Sequence, residues 1–272
     1  MNAADGDRAF AGSIPQLYER YLVPLIFEPY AVDIAARVTR HRPSRVLEMA
    51  AGTGVVTRQL ARSLAPETSI IATDLNQAML DQAATTSMAR AVEWRQADAM
   101  QLPYADASFD MVVCQFGVMF FPDKGKAFAE ARRVLQPGGR LIFNVWDRIE
   151  DNEFADTVIQ ALRDPFPDDP PRFLARTPHG YHDTAQIARD LHAGGFGAAP
   201  EFATVTARSR AESAHVVAVA YCQGTPLRGE IEARATPALA EVTEIAAAAL
   251  ARQFGGGAVD GKIQAHVVTV VK

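Results

Sequence analysis

Three acids fall at regular intervals in the first hundred residues, Glu48, Asp74 and Asp98, at or near the ends of short runs of strand-forming residues. A carboxylate accepts hydrogen bonds and donates none, so acids placed this way could contact one ligand. Glu48 is followed by Ala50-Ala51-Gly52-Thr53-Gly54, a turn of small residues where a ligand can approach the backbone. From Ser44 to Asp74 the order is apolar run, turn, helical stretch, apolar run. That is the pattern of a βαβ unit that holds a nucleotide at its first turn. The chemistry to expect is that of a bound nucleotide cofactor.

The elements that position these residues can be read from the change of period. Arg45 to Ala50, Ser69 to Thr73, Ala91 to Gln96, Asp110 to Phe116 and Arg140 to Trp146 read as five strands, short and rich in β-branched or apolar residues. Helical stretches at Gly54 to Leu64, Gln77 to Ala89 and Gly125 to Leu135 separate most of them, which implies a parallel sheet covered on both faces. The carboxyl ends of such strands line one crevice, so the three acids can meet one ligand. Leu135-Gln136-Pro137-Gly138-Gly139 is expected to end the third helix and turn into the fifth strand. Upstream, Ile14 to Tyr30 is dense in aromatic and apolar residues but carries Pro15, Pro24 and Pro29, so short helices are expected there rather than one long one. Downstream come a helix near Phe154 to Leu162, a proline-rich loop at Asp164 to Phe173 and a helix at Asp183 to His192. A sixth strand follows at Glu201 to Ala207. Leu239, Val242, Ile245, Ala246, Ala249, Leu250 and Phe254 recur at helical spacing, and His266 to Val271 reads as a last strand.

The glycine turn alone does not choose the nucleotide. Gly52 to Thr57 is GxGxxT, one residue from the GxGxxG dinucleotide fingerprint. Glu48 four residues before Gly52, acids at successive strand ends and the Pro-Gly-Gly turn all argue against a dinucleotide. Together these features resemble the class I S-adenosylmethionine-dependent methyltransferases, in particular the branch of ubiquinone and menaquinone biosynthesis enzymes, over about Tyr18 to Asp147. The resemblance implies an α/β, Rossmann-like, doubly wound seven-stranded sheet, mostly parallel with an antiparallel last strand, plus a helical lid insertion. It divides the chain into an N-terminal lid segment at 1–30, a cofactor-binding core at 31–150 and substrate-side helices with the last two strands at 151–272, the insertion lying at about 210–258. It places the acid-x-Gly-x-Gly-x-Gly motif on Glu48 to Gly54, with Ala50 where the first glycine is usual. Asp74 matches the acid that accepts both ribose hydroxyls. Asp98 and Ala99 match the pair that reads the adenine edge. Leu75 and Met79 would line the adenine, Gln115 would lie near the methionine end, and Tyr21 and Phe27 would be lid contacts. The implied cofactor is S-adenosyl-L-methionine, with S-adenosyl-L-homocysteine as product. Glu48 or Asp74 alone would also suit a helix N-terminus.

Methyl transfer from a sulfonium needs positioning more than a dedicated catalytic motif. His179, Tyr181, His182 and His215 are the polar candidates for a base, with His182 and Tyr181 the preferred pair. The segment Cys114-Gln115-Phe116-Gly117 lacks the Asn/Asp-Pro-Pro-Tyr motif of amino-methylating enzymes, and the polar-poor helices after the sixth strand suit an apolar or aromatic small molecule. The two competing readings are an NAD-dependent oxidoreductase and a non-catalytic cofactor-binding protein of the same fold. The 272 residues are 49% hydrophobic and 22% charged, with a formal charge of −5, a soluble globular composition that offers no basic surface for nucleic acid. Cys114 and Cys222 lie far apart and outside any metal or redox motif, so no metal is expected and buried thiols are. A polar N-terminus and the lack of an 18-residue apolar run point to a cytoplasmic protein without a membrane span.

Overall fold

The computed structural model describes residues 6–8, 10–234 and 236–272. Seven strands form one sheet: β1 (Arg45–Glu48), β2 (Ser69–Asp74), β3 (Glu93–Gln96), β4 (Phe109–Gln115), β5 (Leu135–Trp146), β6 (Glu201–Ala211) and β7 (Val259–Val271), in the order β3-β2-β1-β4-β5-β7-β6. The first five pair in parallel, with Leu47 opposite Ile71 on one side and Val112 on the other. Their central residues are apolar on both faces because helices cover both, and Val46, Leu47, Ile71, Val112 and Ile142 are all buried. β7 runs antiparallel: Lys272 N donates to Gly139 O at one end of β5, and Asp147 N donates to Gln264 O just past the other.

The chain divides into two compact units, each made of several segments. The first comprises Glu28–Val145, Tyr181–Val205 and Ala265–Lys272. In it α1 (Glu28–Arg40) packs on α2 (Val55–Ser63), and α3 (Gln77–Ala84) lies against β2 and β3. Tyr30, Ile34 and Val38 recur every fourth residue on α1 and are fully buried, the stripe that turns the helix onto the sheet. α4 (Lys124–Val134) packs on α6 (Thr184–Ala193), and Phe128 of α4 reaches Phe143 of β5 with ring centres 5.4 Å apart. The second unit comprises Met1–Phe27, Trp146–Gly180 and Thr206–Gln264. Here α7 (Ala214–Gln223) and α8 (Leu239–Phe254) form the main helical contact, with α5 (Glu153–Ala161) packed on both. Phe154 and Phe254 meet edge to face at 4.8 Å, while Val217, Val242, Ala246 and Leu250 fill the helix interface.

Several elements differ from the sequence expectation: α3 stops at Ala84 rather than Ala89, β6 runs on to Ala211 rather than Ala207, and three more depart as follows. The proline-bearing stretch is not broken: Ile14–Leu17 is helical, Tyr18–Phe27 continues as a π helix around Pro24, and α1 follows directly. Wider π turns absorb a residue that cannot donate to the ordinary helical ladder, while Pro15 sits in a first turn where no donor is needed. β5 begins at Leu135, so Gln136 to Gly139 belong to the strand; Leu135 pairs with Phe109 across an irregularity, and Gly138 takes φ +79°. β7 begins seven residues before His266, at Val259. The proline-rich stretch before Phe173 has neither helix nor strand, as expected.

Candidate functional site

In the first unit, β1 and β2 end side by side on Glu48 and Asp74. Between β1 and α2 the chain makes three left-handed steps, at Ala50 (φ +53°), Gly52 (φ +57°) and Gly54 (φ +84°). The turn is tied to its neighbours on both sides: Met49 N donates to Val113 O and Ala51 N to Thr73 O, each at 2.8 Å. Asp74 completes the frame, its Oδ2 accepting from Gly52 N and its Oδ1 from Asn76 N, both at 2.8 Å. Glu48 Oε2 accepts from the Thr57 hydroxyl at 2.6 Å, and the Thr73 hydroxyl donates to Glu48 O at 2.9 Å. Two glycines are required by close approach. A Cβ on Gly54 would lie 2.7 Å from the Trp94 ring, and one on Gly117 would lie 2.5 Å from Ala50 Cβ and 2.7 Å from Cys114 Sγ.

Burial sets the electrostatics. Glu48 is 1% exposed and its pKa rises from 4.5 to about 8, chiefly through desolvation, against the opposing Thr57 hydrogen bond and Arg58. Asp74 is shifted upward by the same burial, with the Asn76 and Gly52 amides pulling the other way. The Cys114 thiol, beside them, is pushed up to about 12 by burial and stays protonated, as does Cys222 at about 12.

The remaining residues singled out by sequence fall as follows. Leu75 is exposed just beyond Asp74, Met79 is buried on the first turn of α3, and Gln115 is buried as the last residue of β4. Asp98, beside Ala99, accepts from Met100 N through Oδ1 at 2.8 Å, an Asx turn that follows β3. Tyr181 is buried, its hydroxyl donating to Asp190 Oδ2 at 2.7 Å and its ring lying 4.7 Å from Lys124 Nζ. Desolvation first, then Asp190, push its pKa well up, so the phenol keeps its proton at neutral pH. His182, next to it, is half-buried. Tyr21 belongs to the second unit, on the π helix, with the Arg20 guanidinium 5.0 Å from its ring centre; Phe27, at the end of that helix, stacks on Tyr18 at 5.0 Å. His179, also in the second unit, is buried with Nδ1 2.8 Å from Asp147 O, and His215 lies 3.2 Å from Glu244.

Residues that sequence reasoning passed over also shape the site. Asn144 is fully buried in β5, and its Oδ1 accepts from Phe116 N at 2.8 Å, holding Phe116 in a left-handed conformation (φ +49°) at the exit of β4. A lone polar residue in the apolar run Leu141 to Trp146 was its signal. Lys124 donates to Phe121 O at 2.9 Å and to Met119 O at 3.4 Å, fastening the loop after β4. Thr57 stood in the GxGxxT run, but its bond to Glu48 follows only from the first turn of α2.

A strand-end acid pair around a left-handed glycine turn stands in a Rossmann-like seven-stranded sheet whose strand β7 is antiparallel. Residues 47–143 match the family described as "Methyltransferase domain". The chain is 43% identical over 110 residues to a demethylmenaquinone methyltransferase of Deinococcus radiodurans, covering 40% of this chain and 45% of that protein. It is 39% identical over 156 residues to a ubiquinone/menaquinone biosynthesis C-methyltransferase of Teredinibacter turnerae, covering 52% and 61%. The chain thus spans about half the length of most of the curated relatives it matches. Among solved structures, the YcgJ protein of Bacillus subtilis superposes with a TM-score of 0.56 at 17% identity, over 90% of this chain and 98% of that one. A Bacillus halodurans protein described as a putative methyltransferase gives 0.54 at 17% identity, over 89% and 98%. No helix among the described residues is long and apolar enough to cross a membrane.

Proposed function

We propose that the chain binds S-adenosyl-L-methionine at the ends of β1 and β2 and transfers its methyl group to a small molecule with an aromatic, quinone-like ring. The observation that carries this reading is the buried pair Glu48 and Asp74 flanking three left-handed residues. The residues present fit the cofactor. Each Asp74 oxygen holds one backbone amide and keeps a lone pair for a ribose hydroxyl. The Thr53 hydroxyl is buried inside the turn with no hydrogen-bond partner among the described residues, a polar atom that a ligand in the turn would satisfy. The ring class comes from the names of the matching relatives, which act in menaquinone and ubiquinone biosynthesis.

The cofactor supplies an electrophilic methyl on a sulfonium; the chain's part is to hold, orient and exclude water. In this reading Asp74 takes the ribose diol, Glu48 the positive end of the methionine moiety, and Leu75, Met79, Asp98 and Ala99 the adenine. Gln115, at the end of β4, faces the methionine. Where the acceptor must lose a proton, we assign the task to His182, since Tyr181 is held protonated by Asp190.

Calorimetric titration with S-adenosylhomocysteine and, separately, with NAD(H) tests the proposal. Micromolar binding of the former, weakened about tenfold or more in Asp74→Ala, is the expected outcome, because a charged hydrogen bond contributes about 1.5 kcal/mol or more. Binding of NAD(H) alone would make the chain an oxidoreductase of similar fold. Binding of neither would remove the cofactor from the reading altogether.

A further inference from the structure

The first unit has a second concave site, at the opposite end of its strands from the acid pair. It lies between the last turn of α1 and one face of β5, β7 and the start of β6, with a volume of about 330 Å³. The bonds joining Gly138 and Gly139 to Lys272 fix the register of β5 against β7, so Arg140 and Thr269 belong to the same face. Ile142 of the cleft is level with Glu48 through Val113, so two strand spacings, roughly 10 Å at about 4.8 Å each, and the step of two residues back to Arg140 separate the cleft's cations from Glu48.

The lining is cationic in a chain whose formal charge is −5: Arg37, Arg40, His41 and Arg140 face Glu201 and Thr269. Arg37 is neutralised on its own helix, its Nε donating to Asp33 at 2.6 Å and an Nη at 3.3 Å. Arg40 and Arg140 carry neither an ion pair nor a side-chain hydrogen bond among the described residues. The negative end of the α1 dipole offsets about half a charge and Glu201 one more, against two guanidiniums, while His41 adds a ring nitrogen but no charge at neutral pH. His41 registers this field: its pKa is lowered by burial and then by Arg140 and Arg40, with Glu201 acting the other way. Each guanidinium offers a planar fork suited to an oxyanion, and Thr269 adds a hydroxyl. The volume is at the small end of the roughly 300–1,000 Å³ of ligand sites, so it suits a compact molecule.

We propose that this cleft binds a small oxyanion of the phosphate or pyrophosphate class, held by Arg40 and Arg140 with His41 and Thr269 at its sides. It is separate from the cofactor crevice and does not depend on the methyltransferase reading.

The test is calorimetric titration of the full chain with sodium pyrophosphate at constant ionic strength. Arg40→Gln and Arg140→Gln are compared with Arg252→Gln, an exposed cation on α8 that lies outside the cleft. The expected result is saturable one-site binding, weakened about tenfold by either cleft variant and unchanged by Arg252→Gln. Thermal melting and retained S-adenosylhomocysteine binding identify variants that have kept their fold; a failed cofactor reading leaves melting as that control. Absence of saturable binding, or equal weakening in all three variants, overturns the proposal. So does sedimentation with phosphatidylglycerol vesicles without binding of soluble pyrophosphate, which would make the patch a membrane contact.

Discussion

Ala50 occupies a left-handed conformation that glycine adopts without strain, and its Cβ, together with Cys114 Sγ, forbids a side chain at Gly117. The two positions belong to different strand ends, β1 and β4, yet the Ala50 methyl group bears on both. Gly117→Ala forces a Cβ into Ala50 and Cys114, and overpacking of this kind costs about 1–3 kcal/mol. Ala50→Gly removes one of the two obstacles and the strain at φ +53° together. The double variant should therefore recover part of the loss, a coupling that chemical denaturation of the four proteins in the cycle measures. Strict additivity would mean that the two sites do not touch. The departure from the usual glycine at position 50 is thus matched inside this chain by a glycine that sequence reading had not singled out.

At the scale of elements, β7 shows both what was readable and what was not. Its inward residues Val259, Gly261, Ile263, Ala265 and Val267 alternate without a break, but the glycine and the polar residues between them hid the first half of the strand. Gly261 is there because the Phe154 ring of α5 occupies the space, 2.7 Å from where a Cβ would stand. Gly261→Ala should lower stability by about 1–3 kcal/mol, and Phe154→Leu in the same chain should return part of it. A thermal melt in which Gly261→Ala matches the parent would show that the ring moves aside freely. The parallel half of the sheet was legible because its strands are apolar on both faces and end on acids. The π helix was not, since its i→i+5 bonding leaves no period that distinguishes it from the prolines' usual breaks. Glu48 and Asp74 were legible as strand-end acids from their spacing. Asn144 and Lys124 act through a backbone amide and two carbonyls, partners that no residue type reveals.

For the molecule as a whole, the buried acid of β1 makes stability depend on pH. The Glu48 carboxyl keeps its proton up to about pH 8 in the folded chain but releases it near 4.5 when unfolded. Between those values the folded state binds more protons, so stability falls as pH rises across the window. Without cofactor, the melting temperature should drop from pH 5.5 to pH 8, and Glu48→Gln should flatten the slope; an equal slope in both proteins would assign it to other groups. The edges of the sheet are guarded differently, β3 by Glu93, Arg95 and Gln96 and β6 by Arg208 and Arg210, both paired to Asp260 of β7. That pairing follows from the strand order, in which β7 lies between β5 and β6. The piece that joins them is thus made after both. During synthesis the flank of β5 waits through more than a hundred residues for its neighbour, and the sheet closes only when Val259–Val271 has left the ribosome. A translational pause or a chaperone acting on the segment before Val259 would therefore prolong the interval in which β5 presents an unpaired edge.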